Sequence, residues 1–228
     1  MDKLISNTNL RDQVYDVLKK MIVLREIQPG EKINEEQLAR QTGVSRTPIR
    51  EALCRLANES IVRMIPRKGA FVIRQSEETL REVLEVREVL EGLIARLATV
   101  RIHDRQYGRM NEKHLIRLSK CLEKILPVPD EERNRMTYTQ SDIQFHSILQ
   151  EACGNRMLQS MMDTVNTHLQ IIRLRTVMLP GRARKTVDEH YEILKGIEAG
   201  DDKRAELLMR KHIESVRSDA LRNIDRMA

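Results

Sequence analysis

The chain has 228 residues, with 40 Lys and Arg against 34 Asp and Glu, 3% aromatics and no Trp. That length allows one large or two small domains with a real core, and a composition rich in Leu, Ile, Val, Met and Ala with little Gly or Pro suits a mainly helical fold. Three cysteines (Cys54, Cys121, Cys153), odd in number and far apart, argue against a disulfide framework, no apolar run is long enough to span a membrane, and charged residues at positions 2, 3, 11 and 12 leave no signal-peptide core, so a cytoplasmic protein is expected.

Apolar residues at Leu10, Val14, Val17, Leu18, Met21 and Ile22 have helical spacing. Gln28-Pro29-Gly30 then forces a turn, and Lys32-Ile33 can form a short strand. Asn34 is placed to cap a helix from Glu35 to about Gln41, which Gly43 ends. A second short helix starts near Ser45 or Thr47, with Pro48 in its first turn and Ile49, Ala52, Leu53 and Leu56 on its buried face. Ile61–Ile65 and Ala70–Ile73 are β-prone runs flanking Pro66-Arg67-Lys68-Gly69, which reads as a hairpin. Two short helices at a tight Gly turn followed by a hairpin with a basic tip make a winged helix-turn-helix of three helices and a small β-hairpin.

From Ser76 onward the pattern is helical, with spans near 77–102, 105–126, 135–152, 156–178, 183–199 and 202–226. Breaks fall at Asp104, Pro127 to Asp130, Gly154-Asn155, Pro180-Gly181 and Gly200-Asp201. The expected organisation is therefore a DNA-binding domain over 1–75 and an all-α antiparallel bundle over 76–228.

Charge placement supports that division. Residues 1–75 hold 14 Lys and Arg against 9 Asp and Glu, and the rest of the chain holds 26 against 25. A compact basic segment is the footprint of a phosphate-binding surface, although a merely solvated face would look the same by charge alone. Arg46 and Arg50 lie four apart on one face of the second short helix, with Thr47 beside them. Arg suits the paired acceptors of guanine, and Thr suits phosphate or a thymine methyl. At the hairpin tip Arg67 and Lys68 can reach phosphate or the minor groove, and Gly69 permits close backbone approach.

In the second half, polar residues interrupt apolar stripes. His212 stands among Ala205, Leu208, Met209 and Val216; His190 among Val187, Leu194 and Ile197; Asp142 and His146 share a face with Leu149 and Cys153. One Asp and three neutral His suit Zn, Ni, Mn or Fe. Arg87 lies on the stripe Leu80, Leu84, Leu90, Ile94, and an inward Arg calls for a carboxylate or phosphate partner. Two readings stay open on spacing alone: a metal site with an anion beside it, or satisfied core histidines with Arg87 paired to a structural Glu such as Glu91. His103 and His114 read as surface residues.

Asn34-Glu35-Glu36-Gln37-Leu38-Ala39 followed by Gly43 through Leu53 (GVSRTPIREAL) resembles the GntR-type winged helix. The resemblance implies DNA contacts at Arg46, Thr47, Arg50 and Gly69. One position departs: some members carry a DNA-touching Arg early in the preceding helix, where this chain has Glu36, so that contact is not carried over. Leu84–Ala98, Asp142-x-x-Phe145-His146, Gly154-Asn155, Glu189-His190 and His212 resemble the FCD ligand-binding domain of the FadR subfamily. That resemblance implies a dimerising helical bundle, a divalent metal (zinc foremost) on Asp142, His146, His190 and His212, and an effector carboxylate at Arg87, with Arg173 and Arg175 as further cavity candidates. The expected function is a metal-dependent, ligand-responsive transcription regulator that binds a palindromic operator as a homodimer and is not an enzyme. A constitutive DNA-binding dimer and a helical metalloenzyme are the competing classes; absence of His-Glu-x-x-His and of Glu three residues before any His weighs against the second.

Overall fold

A computed structural model describes residues 3–74, 76–104, 109–123, 135–176 and 179–223. They fall into two units, Met1–Ser76 and Glu77–Met227, each with its own core. The fold is mainly α, a winged helix-turn-helix followed by an all-helical bundle.

The first unit contains α1 (Lys3–Val23), β1 (Lys32–Ile33), α2 (Glu35–Thr42), α3 (Arg46–Asn58), β2 (Val62–Ile65) and β3 (Gly69–Val72). Helix α1 begins at Lys3, before the apolar stripe that starts at Leu10, because no Gly or Pro interrupts the intervening residues. Asn34 caps α2 by accepting from the Glu36 and Gln37 amides, both at 3.1 Å. Gly43 closes the helix with φ 68°, a backbone conformation that costs a residue with Cβ. Helix α3 packs on α1 and α2 through Ile49, Ala52, Leu53 and Leu56, all buried. Each large aliphatic side chain there contributes about 1.5–3 kcal/mol by leaving water.

The hairpin gains a third strand, giving the order β1-β3-β2, all antiparallel. The register pairs Val62 with Val72 and Ile65 with Gly69, so the turn falls on Pro66-Arg67-Lys68. Arg67 takes φ 62° and Gly69 φ 103° to make that turn. Tyr15 ties α1 to the end of α3: its hydroxyl donates to the Glu59 carboxylate at 2.6 Å, and the Arg55 guanidinium lies 3.8 Å from its ring centre.

The second unit is built from α4 (Glu77–His103), α5 (Arg109–Glu123), α6 (Arg135–Cys153), α7 (Arg156–Thr176), α8 (Arg182–Glu198) and α9 (Asp202–Arg222). The break expected at Pro127 to Asp130 lies outside the described residues. Asn155 caps α7 through the Met157 and Leu158 amides, and Asp201 caps α9 through the Arg204 amide. Gly200 (φ 70°) turns α8 directly into α9, and a connection that short makes neighbours antiparallel. Gly196 brings α8 close to α9: a Cβ there would sit 3.4 Å from the Ala205 nitrogen. Helices α4 and α9 share the most extensive contact in the bundle.

The bundle core is divided. One apolar cluster gathers around Ile94, Ala98, Phe145, Leu149, Ile193, Met209 and Ile213. A smaller one gathers Leu80, Leu84, Leu169, Ile172, Val216 and Ala220. Along α4 and α9 the interval between the two clusters is occupied by Arg87, Glu91 and His212, and this interval is the polar layer described next.

Candidate metal centre and nucleic-acid interface

Helical spacing turns His212 inward from α9 between Met209 and Val216, and His190 inward from α8 between Val187 and Leu194. Asp142 and His146, one turn apart on α6, face them. One ligand atom from each of these four residues lies within 4.8 Å of the others. The His190 and His212 Nε2 atoms are 3.3 Å apart, and each of His146 and His190 has Nε2 3.7 Å from Asp142 Oδ1. The histidines are buried, and the Phe145 ring stacks on His190 with centroids 4.1 Å apart.

Two of the imidazoles turn their other nitrogen to a carboxylate. His146 Nδ1 is 3.0 Å from Glu91 Oε2, and His212 Nδ1 is 2.7 Å from Glu189 Oε2. At His212 the hydrogen-bonded carboxylate on Nδ1 fixes the tautomer and ring orientation and leaves the Nε2 lone pair for a cation, the arrangement that supports metal-bound histidine, while at His146 the Glu91 carboxylate makes an ion-pair contact. The donor set and its second partners therefore fit a divalent transition metal such as zinc.

Electrostatics agree. Burial and the two neighbouring histidines hold the His190 pKa well below its usual value, and burial with His146 lowers that of His212 to about 4. Both are neutral at neutral pH, as metal ligation requires. Burial also works to lower His146, but the charge of Glu91 together with the contacts to Asp142 and Glu91 outweighs it, and its pKa is raised. Burial disfavours the Glu91 carboxylate, yet His146, Arg87 and Arg173 bring its pKa down to about 2.

Arg87 is 2% exposed, and its Nε lies 3.4 Å from Glu91 Oε1. Its Nη2 lies 3.1 Å from His146 Nε2. Arg173 is buried with Nε 3.5 Å from Asp142 Oδ2. Burial and the charge of Arg87 lower its pKa to about 10, which leaves it cationic at neutral pH. A small cavity opens beside this layer, lined by Arg87, Asp142, Arg173, Arg182, Thr186 and His190 among others. The Arg175 side chain lies outside the described residues. His103 is exposed, with Nε2 2.7 Å from the Ile197 carbonyl, and His114 is half-buried near Glu151.

Three residues of this layer escaped the sequence reading in their roles. Glu91 is shared by Arg87 and His146 rather than serving Arg87 alone. Glu189 was seen only as the neighbour of His190. Arg182, buried, donates to Glu189 at 2.6 Å and to Asp219 at 3.0 Å, so it fixes the carboxylate behind His212. The i,i+7 spacing of Arg182 and Glu189 on one helix face was the available signal.

The first unit gathers a different set. Arg46 and Arg50 are exposed on the N-terminal turns of α3, flanking its buried face on the side of α2. They share a cleft with Arg67, Lys68 and Gly69 of the hairpin and with Glu35 and Glu36 of α2. Thr47 borders the flank of α3 with Cys54 and Arg55 instead. Arg50 Nε donates to Glu35 Oε2 at 2.7 Å, and Arg46 Nη2 lies 3.5 Å from Glu36 Oε2.

Residues 82–215 match the FCD domain family, and residues 10–72 match the gntR family of bacterial regulatory proteins. The chain belongs to the GntR family, as a transcription regulator with an FCD domain. Among relatives of this family, the uncharacterized HTH-type transcriptional regulator YdhC of Bacillus subtilis is 29% identical over 185 residues, 81% of this chain and 79% of that one. The HTH-type transcriptional repressor RspR of Escherichia coli is 22% identical, covering 94% of this chain and 90% of its own. Two solved structures share the fold. E. coli McbR/YncC superposes with TM-score 0.56 at 20% identity, over 90% of this chain and 94% of that one. The metal-free FCD domain of TM0439 gives TM-score 0.53 at 20% identity, over 67% of this chain and 98% of its own. Among the described residues, no helix is long and apolar enough to cross a membrane.

Proposed function

We propose that this GntR-family regulator is a metal-dependent sensor of a small organic acid that binds a palindromic operator as a homodimer in the cytoplasm. The observation that carries the proposal is the buried layer of Asp142, His146, His190 and His212 beside a cavity lined by arginines. A core that served only to dimerise would gain stability from apolar residues at these positions. Asp142, His146, His190 and His212 would hold the ion, with zinc the best match to three imidazoles and one carboxylate. Bound there, the metal supplies a Lewis-acidic anchor for a carboxylate.

The chain's own residues do the rest. Glu91 and Glu189 orient the imidazoles, and Arg182 orients Glu189. Arg87 now directs an N–H at His146 Nε2, the lone pair a metal would need. Releasing that contact frees the Arg87 guanidinium for a ligand carboxylate, with Arg173 as the second cation of the cavity. Metal and acid thus favour the same arrangement, and an acid changes DNA occupancy only by binding two states unequally.

DNA is read by Arg46 and Arg50 on guanine edges, with Thr47, Arg67, Lys68 and the Gly69 backbone on phosphates. Support for a homodimer comes from α4, where Val86, Val89 and Val100 are each 51% exposed on one helical face; contiguous exposed apolar side chains mark contact surfaces. A gel-shift titration against duplexes selected from a random pool tests the reading. Retarded complexes that respond to metal and acid are expected, and failure to bind any duplex under all conditions refutes it.

A further inference from the structure

The first turn of α2 places two carboxylates inside the cleft that faces DNA. Glu35 and Glu36 follow the Asn34 cap, where the helix N-terminus favours negative charge. They stand among Arg46, Arg50 and Lys68 in the cleft that the phosphate backbone would approach. Acidic groups there oppose binding to any DNA, whatever its sequence. Each is nevertheless spent on a recognition arginine.

The two contacts differ. Glu35 is largely covered, at 19% side-chain exposure, and takes the Arg50 Nε at 2.7 Å. Bonding Nε fixes the guanidinium plane and leaves the two terminal nitrogens pointing outward, and a guanidinium edge held in plane is what bidentate guanine reading needs. Glu36 is 59% exposed and stands 3.5 Å from Arg46 Nη2 and 3.9 Å from Arg40 Nη2. That is a loose counter-charge shared between two cations. Exposed pairs of this kind are weak, so a well-placed base can displace the carboxylate, while its charge stays in the cleft and opposes every phosphate that approaches.

Resting on the DNA-reading role given above to Arg46 and Arg50, we propose that Glu35 and Glu36 are specificity-determining residues: Glu35 holds Arg50 in its base-reading pose, and Glu36 suppresses sequence-independent binding by neutralising Arg46. Glu36 thereby acquires a purpose at the position where the DNA contact of some GntR-type winged helices is not carried over.

The test uses the full-length chain and two probes: the duplex selected from a random pool and a scrambled duplex of the same composition. Fluorescence anisotropy across a salt series gives affinity and salt slope for wild type, E35Q, E36Q, E36D and the R46A and R50A variants, with circular dichroism checking the fold. E36Q is expected to bind the scrambled duplex more tightly, with a log–log salt slope steeper by about 0.9 per DNA-binding unit. E36D keeps the charge and returns toward wild type. E35Q also removes a charge from the cleft and is expected to gain scrambled-duplex affinity, but unlike E36Q it should lose roughly 5- to 100-fold in preference at the base pair read by Arg50. If E35Q and E36Q keep wild-type selectivity and slope while R46A and R50A lose binding, the inference is overturned and the reading of the arginines stands. If R46A and R50A bind both duplexes as wild type does, the reading itself fails and takes the inference with it.

Discussion

Replacing Glu91 by Gln removes one buried charge and little volume. Glu91 is fully buried, 3.4 Å from Arg87 Nε and 3.0 Å from His146 Nδ1. Its pKa in the fold is about 2, against an ordinary 4.5, a difference worth roughly 3 kcal/mol at neutral pH. That agrees with the roughly 3–5 kcal/mol lost when one partner of a buried ion pair is removed. Because the folded pKa is depressed, this contribution is present above about pH 4.5 and fades as pH falls toward 2. For a domain of this size each kcal/mol moves the melting temperature by about 2–4 °C, so E91Q should melt roughly 6–12 °C lower at pH 7. Calorimetry with a chelator present isolates the charge effect from metal binding, and the gap between the two proteins should narrow below pH 4.5. Isothermal titration with zinc should show affinity reduced about 10- to 100-fold, since the imidazole loses its orienting carboxylate. An E91Q chain that melts within a degree of wild type at pH 7 would refute the buried-layer reasoning.

Other consequences follow from the same layer. His190→Ala and Asp142→Ala should each abolish stoichiometric metal retention after dialysis, read by plasma emission, while the far-UV circular dichroism stays helical. Metal-free protein should lose stability as pH falls from 6.5 toward 4, because His212 is neutral in the fold down to about pH 4 and protonates earlier in the unfolded chain; thermal melts across that range check it. Arg87→Ala should bind zinc at least as tightly as wild type, because it clears His146 Nε2, yet lose the melting-temperature rise given by small carboxylic acids.

Much of this architecture is legible in local chemistry. The Asn34 cap, the Gly43 stop and the stripe Ile49, Ala52, Leu53, Leu56 each follow from spacing, and the helices of the second unit begin and end near their Gly, Asp and Asn signals. The inward histidines were visible because each replaces a hydrophobe on an apolar stripe. What spacing could not supply is which buried groups share a partner. Glu91 and Glu189 look like ordinary helical glutamates; only the packing of α4 on α6 and of α8 on α9 turns them onto His146 and His212. Arg182 reads as a helix-start residue, yet the fold buries it against Glu189, Ser215 and Asp219. The pairing of Glu35 and Glu36 with the recognition arginines likewise depends on the crossing of α2 and α3, fifteen residues apart in the case of Arg50.

The central claim is that metal and acid act together on DNA occupancy. The direct measurement is the affinity for the selected operator duplex, taken by anisotropy with zinc-loaded and chelator-stripped protein across a panel of small carboxylic acids. The account predicts that at least one acid shifts the affinity of the zinc-loaded protein by tenfold or so, an ordinary allosteric coupling, and leaves the stripped protein unchanged. An operator affinity that stays constant across both metal states and the whole panel would contradict it.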